Sequence, residues 1–143
     1  MPFQNPTDAQ IKALLHMTRT IAVVGLSDKP QRASYIVSQR LQTWGFDIIP
    51  ITAKPQAQIL GAVVYRQLSD VTTPIDCVDV FVRSEIVGDV VDQAIALGIK
   101  LIWLQKGIVD EAAALRAQAA GLCIVMDRCL MTEYQRLFPE RML

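Results

Sequence analysis

Three observations predict an α/β fold, a doubly wound parallel sheet with helices on both faces. Short, almost wholly apolar runs of strand length recur along the chain, stretches of helical period lie between them, and glycines mark the junctions. Such runs suit strands buried on both faces, which only a sheet covered by helices on each side provides.

Thr7 and Gln10 stand at capping-box spacing, and Ile11, Leu14, Leu15 and Thr18 follow at helical intervals, predicting an N-terminal helix to about Arg19. The period then changes. Thr20 to Gly25 is an apolar run closed by glycine, the first strand. Ala33, Val37, Leu41 and Trp44 form one stripe of a helix that stops at Gly45. Phe46 to Ile51 is the second strand, and Ala62 to Tyr65 a weaker third after Leu60-Gly61. Cys77 to Val82 is a strong strand. Ser84 is placed to cap the next helix, which ends at Gly98, and Lys100 to Leu104 is another strand. Asp110 caps an alanine-rich helix, Leu122 to Met126 forms the last strand, and Thr132 to Phe138 closes as a helix. Right-handed crossovers then give a Rossmann-like, three-layer α/β/α arrangement of about five or six strands.

The 143 residues, 52% hydrophobic and 20% charged, suit one self-sufficient domain spanning 1–143, with the helix within 1–19 packed on it. Fourteen basic and fourteen acidic residues cancel, so no net basic face points to nucleic acid or a membrane surface. Cys77, Cys123 and Cys129 match no metal spacing, and no signal segment or membrane-length apolar run is visible, so the expected setting is the cytoplasm.

In open parallel sheets ligands sit beyond the carboxyl ends of the strands, where the strand order reverses. The segments there are Gly25 to Arg32, Thr52 to Pro55, Arg83-Ser84, Gln105 to Gly107 and Asp127 to Cys129. Each carries a cation, so Lys29, Arg32, Lys54, Arg83, Lys106 and Arg128 are expected along one edge, with only Asp28, Glu85 and Asp127 nearby. That edge would bind an anion. In the first loop, Gly25 lets the backbone turn closely and Ser27 suits phosphate contact at the start of the next helix. The dinucleotide pattern G-x-G-x-x-G is absent, because Ser27 and Pro30 hold its second and third glycine positions, and no Walker loop occurs. The second strand ends in Thr52-Ala53-Lys54 instead of the acid that would hold an adenine ribose, which disfavours NAD. Lys54 remains compatible with a 2′- or 3′-phosphate.

Ile21 to Pro30 with Arg32 and Ser34-Tyr35, Ile59 to Gly61, Asp76 to Glu85, Leu101 to Gln105, Gly107 to Val109 and Val125 to Cys129 resemble the small bacterial CoA-binding domain proteins over nearly the whole chain. That family is similar in fold to the CoA-binding domain of the succinyl-CoA synthetase α subunit. The resemblance implies coenzyme A or an acyl-CoA as ligand. It further implies that Gly25, Leu26, Ser27, Lys29, Ser34 and Tyr35 lie about the phosphates, that Pro50, Ile51 and Thr52 border the adenosine, and that Phe81, Arg83, Gln105, Lys106 and Gly107 line the rest of the cleft. The chain departs from the family's usual Pro-Val-Asn-Pro with Pro50-Ile51-Thr52-Ala53, and carries Glu133-Tyr134 where Glu-His is usual.

No nucleophile and base pair is evident. His16 lies in the predicted first helix, Cys129 suits a buried thiol, and Trp44, Trp103, Phe46 and Phe81 occupy core positions. The sequence therefore points to non-catalytic binding of CoA or acyl-CoA at the strand ends. An NAD(P)-linked oxidoreductase, or an acyl-transfer subunit needing a partner protein, is the alternative.

Overall fold

The computed structural model describes residues 2–54 and 56–142. In chain order it contains α1 (Asp8–His16), β1 (Thr20–Val24), α2 (Ala33–Thr43), β2 (Asp47–Ile51), β3 (Gln58–Ile59), β4 (Ala62–Val63), β5 (Cys77–Val80), α3 (Ser84–Leu97), β6 (Leu101–Leu104), α4 (Glu111–Ala119), β7 (Cys123–Val125) and α5 (Leu130–Leu137). The main sheet is five-stranded and parallel in the order β2-β1-β5-β6-β7. The first crossover runs from β1 to β2 on one side, and the chain then returns to lay β5 on the other side of β1. The order therefore reverses between β1 and β5, and the fold is Rossmann-like.

Strand alternation divides the core into two layers. Ile21, Val23, Cys77, Leu101, Trp103 and Val125 face α1, α2 and α5, while Ala22, Val24, Val78, Val80, Ile102, Leu104 and Ile124 face α3 and α4. α4 presents Ala113, Ala114 and Ala117 to the sheet, so it docks closely with almost no side-chain entropy to lose. Trp103 is fully buried, and its indole N–H donates to the Arg128 carbonyl at 2.8 Å, satisfying the polar end of an otherwise apolar residue. Arg136 joins α1 to α5 through Asp8 (2.8 Å) and Glu133 (2.9 Å).

The first helix begins with the expected capping box, as the Gln10 N–H donates to Thr7 Oγ and the Thr7 N–H to Gln10 Oε1. It ends at His16 instead of Arg19, because the Thr18 hydroxyl donates to the Leu14 carbonyl (2.8 Å) and closes the last turn. Asp110 caps α4 as expected. Ser84 does not cap α3. Arg83 is the cap residue, and Ser84 Oγ accepts from the Val109 N–H at 3.1 Å, which ties the start of α3 to the loop after β6. The last helix starts at Leu130, two residues earlier than Thr132, with Cys129 as its cap residue. Ala62 to Tyr65 adds no full strand to the sheet. β3 and β4 form a small antiparallel hairpin around Leu60-Gly61, and Tyr65 makes a single parallel bridge to Ile51. Among the described residues no helix is long and apolar enough to cross a membrane.

The outer edge of β7 is met by one side chain. Asn5 Nδ2 donates to the Met126 carbonyl at 3.0 Å and Asn5 Oδ1 accepts from the Met126 N–H at 2.8 Å, the pair of bonds a neighbouring strand would make. Both bonds belong to a half-buried region, so Asn5→Ala is expected to lower unfolding stability by about 1–2 kcal/mol in urea titration. An unchanged midpoint would show that water replaces the amide without cost.

Candidate functional site

The site is built where β1, β2 and β5 end together. The Gly25 N–H donates to the Ile51 carbonyl at 2.8 Å and the Phe81 N–H donates to the Val24 carbonyl at 2.8 Å. Gly25 has φ +86°, and a Cβ there would lie 2.9 Å from Val82 Cγ1 and 3.1 Å from the Phe81 carbonyl oxygen. Only glycine satisfies both the left-handed backbone and this close approach. The chain then turns over the strand ends into α2. The Ser27 N–H donates to Ser34 Oγ (2.9 Å) in the first turn of α2, and the Lys29 N–H donates to Ser27 Oγ (3.1 Å). Arg32 is the α2 cap residue but its side chain caps nothing, so the first N–H groups of an eleven-residue helix have no side-chain acceptor.

A cleft of about 420 Å³ opens on this loop, lined by Gly25 to Ser27, Gln31 to Ser34, Thr52, Lys54 and Phe81. A second cleft of about 520 Å³ shares Lys54 and adds Arg66, with Ala53, Gln56, Ala57 and Val64. Neither lining contains a carboxylate. Arg32, Lys54 and Arg66 with a helix N-terminus therefore make a positive surface suited to an anion of several charges.

The structure thus gathers part of the expected edge. Gly25, Leu26, Ser27, Arg32, Ser34, Thr52, Lys54 and Phe81 meet in the first cleft. Pro50 and Ile51 are buried in β2 beneath it, where the Pro50 carbonyl accepts from the Tyr65 N–H. Tyr35 turns into the core on the α2 side, and the Lys29 side chain is exposed outside the cleft lining. Arg83 pairs with Glu85 at 3.7 Å and Arg128 with Glu133 at 3.4 Å, so two of the six expected cations are partnered. Lys106 and Gly107 are exposed, and the Gly107 N–H donates to Asp127 Oδ1 at 2.7 Å. Arg66 was not foreseen. It reaches the site because the β3–β4 hairpin carries the chain back beside β2.

Gln105 is buried and turned inward, donating from Nε2 to Oδ1 of Asp79. Asp79 lies within β5 with no exposure, and its Oδ2 has no hydrogen-bond partner. Burial pushes its carboxyl up to about 7, against the smaller opposing effect of the Gln105 bond. An acid alone in an apolar strand was the visible signal for this residue. His16 contacts Arg141 at the end of α1, and Cys129 stands half-buried at the start of α5; neither lines the two clefts. No group of His, Cys, Asp and Glu among the described residues could hold a metal ion.

Two outcomes follow from this geometry. Gly25→Ala is expected to cost at least about 2 kcal/mol, from left-handed strain plus displacement of Phe81, read as a lowered melting temperature. A melting temperature equal to wild type would contradict the close approach. Folded Asp79 holds its proton up to about pH 7, whereas an unfolded aspartate loses it near 4. The folded state therefore binds more protons across that window, and stability falls as pH rises through it. Relative to Asp79→Asn, the wild-type chain should lose roughly 2–3 kcal/mol between pH 5 and pH 8 in urea unfolding. Parallel profiles for the two proteins would refute the neutral-acid assignment.

The model of the CoA binding domain family matches residues 19–135. An uncharacterized protein of Bacillus subtilis (strain 168), YneT, is 38% identical over 127 residues, covering 89% of this chain and 93% of that protein. A hypothetical protein from Pyrococcus horikoshii OT3 superposes with TM-score 0.89 at 36% identity, over 96% of each chain. A dinucleotide-forming acetyl-coenzyme A synthetase 1 from Ca. Korarchaeum cryptofilum shares the fold, with TM-score 0.70 at 23% identity over 80% of this chain and 27% of its own. On the family match, which spans both clefts and the whole sheet, this chain belongs to the CoA binding domain family.

Proposed function

We propose that the chain binds coenzyme A or an acyl-CoA at the joined clefts and performs no chemistry on it. The observation that carries this reading is the cleft lining itself. A helix N-terminus and three cations meet there without a carboxylate, in a chain whose family is one of CoA binding domains. The donor set fits the group. The Gly25 to Ser34 loop and Arg32 would hold the diphosphate, and Lys54 with Arg66 would hold the third phosphate, since both line the clefts and Arg83 lines neither. CoA would contribute a thiol able to carry an acyl group.

The non-catalytic part rests on how the cleft hydroxyls are used. Ser34 Oγ and Ser27 Oγ each accept a backbone N–H within the loop, and no histidine stands beside either. A serine without a base is a poor nucleophile. Thr52 at the end of β2 offers no carboxylate to a nicotinamide dinucleotide's ribose.

Calorimetry at fixed ionic strength should rank CoA above dephospho-CoA and both well above NAD. One charge-assisted bond is worth about 1.5–3 kcal/mol, so Arg32→Ala should weaken both CoA forms roughly ten- to a hundredfold. Lys54→Ala should narrow the gap between them, and Arg83→Ala should change neither. Acyl-CoA thioesters incubated with the purified chain should remain intact by mass spectrometry. NAD binding as tightly as CoA would return the chain to the oxidoreductase reading, and thioester turnover that follows the protein through purification would make it an acyl-transfer component.

A further inference from the structure

The five buried polar residues among those described are Ser27, Ser34, Ser38, Asp79 and Gln105, and all belong to the α2 side of the sheet or the loop above it. Ser27 and Ser34 are bonded to each other in the cleft floor. Ser38 lies four residues further along α2, about 6 Å deeper. Asp79 lies two residues before Phe81 on the same face of β5, about 6.6 Å deeper. The two oxygens left without partners on this face, Ser38 Oγ and Asp79 Oδ2, are therefore at the same depth under the site.

Asp79 is also close to the loop through the sheet. It is in register with Val23, two residues before Gly25, and Gly25 packs on the Phe81 backbone. An anion on the Gly25 to Ser34 loop stands on the order of 10 Å from this carboxyl, through protein instead of water. Among the described residues no ion pair is formed by this carboxyl, whose one hydrogen bond is to Gln105. The ionisable groups packed on this face are Asp76 just before β5, Cys77 on its own strand, Cys123 on β7, Tyr35 on α2, Cys129 at the cap of α5 and Tyr134 within it, while Lys12 and Arg141 lie over the Phe138 ring and Arg40 over Trp44. β1 offers Ile21 and Val23, α1 offers Ile11, Leu14 and Leu15 to the core, and β6 offers Leu101, Trp103 and the amide of Gln105. Arg128 and Glu133, at the start of α5, are paired with each other. Burial holds the Cys77 thiol protonated, so it adds no charge.

We propose that Asp79 is the proton-uptake group of this site: an anion bound on the Gly25 to Ser34 loop favours the neutral acid, so the ligand enters together with a proton. This rests on the anion-binding reading above. A carboxyl that titrates near neutrality is poised to respond, because negative charge nearby raises its proton affinity further. The protonated form turns Oδ2 into a donor at the depth of the Ser38 oxygen, and Gln105 carries the state of Asp79 to the loop that begins at the end of β6. Affinity is then highest below pH 7 and falls as pH rises.

Calorimetry with dephospho-CoA tests this, because its diphosphate exchanges no proton near neutrality. Titrations at pH 7.5 in two buffers of different ionisation enthalpy should show uptake of about half a proton per site, and affinity should fall roughly tenfold from pH 6 to pH 9, as expected for a one-unit rise on binding. Asp79→Asn should abolish the uptake and hold affinity near its low-pH value. If that variant does not fold, carbon-13 detection of the Asp79 carboxyl in the wild-type chain gives the same reading, with its titration displaced upward by the ligand. Binding without proton uptake, uptake that survives in Asp79→Asn, or a carboxyl titration unmoved by ligand would overturn the proposal while leaving the binding reading intact. Failure of dephospho-CoA and CoA alike to bind would overturn the binding reading itself.

Discussion

The contact between Gly25 and the Phe81 backbone sets the rest of the structure. Three strand ends are tied there, because the Gly25 amide bonds to β2 while the Phe81 amide bonds to β1. With a carbonyl oxygen 3.1 Å from where a Cβ would stand, the position admits nothing larger than hydrogen. The same residue turns the chain over the sheet and aims α2 at the cleft. Fold and site are thus consequences of one steric constraint, and the sheet cannot be loosened at β1–β5 without disturbing the loop that would hold phosphate.

Above this point the polar groups are spent on shaping the loop. Ser34 braces Ser27, Ser27 braces Lys29, and the helix amides stay free. Below it, Asp79 is maintained in the interior although an asparagine or a hydrophobic residue would fold more readily at neutral pH. A single hydrogen bond from Gln105 does not offset the desolvation of a carboxylate, and the neutral acid is the form the interior accepts. The interior of this small sheet therefore holds a group whose charge depends on what lies above it.

Most of the architecture was legible in the sequence because strands and helices carry different periods, and Thr7-Gln10 and Asp110 mark helix starts by side-chain chemistry that acts locally. Ser84 misled for a related reason. A serine before an apolar helix suits a cap, but its hydroxyl is drawn to Val109, a tertiary partner no local pattern reveals. The site was legible in its loop and less so in its charges. Arg83 and Arg128 stood among the expected anion ligands, yet each has a glutamate within five residues that the folded backbone brings to it. Arg66 went unseen because a hairpin of two-residue strands, too short to carry periodicity, delivers it. Gln105 followed the alternation of β6 one step past the end of the strand, which turned it inward.

The distribution of charge in this chain also bears on the speed of encounter. Positive and negative residues balance overall, so the molecule exerts no net pull on an anion at long range. Arg32, Lys54 and Arg66 across the two adjoining clefts, with no carboxylate in either lining, give it instead a local positive pole at the site. An approaching polyanion is turned toward that pole only within about a Debye length, roughly 8 Å at physiological ionic strength. Steering therefore acts late in the encounter, orienting the ligand's phosphates as it arrives without gathering it from the bulk.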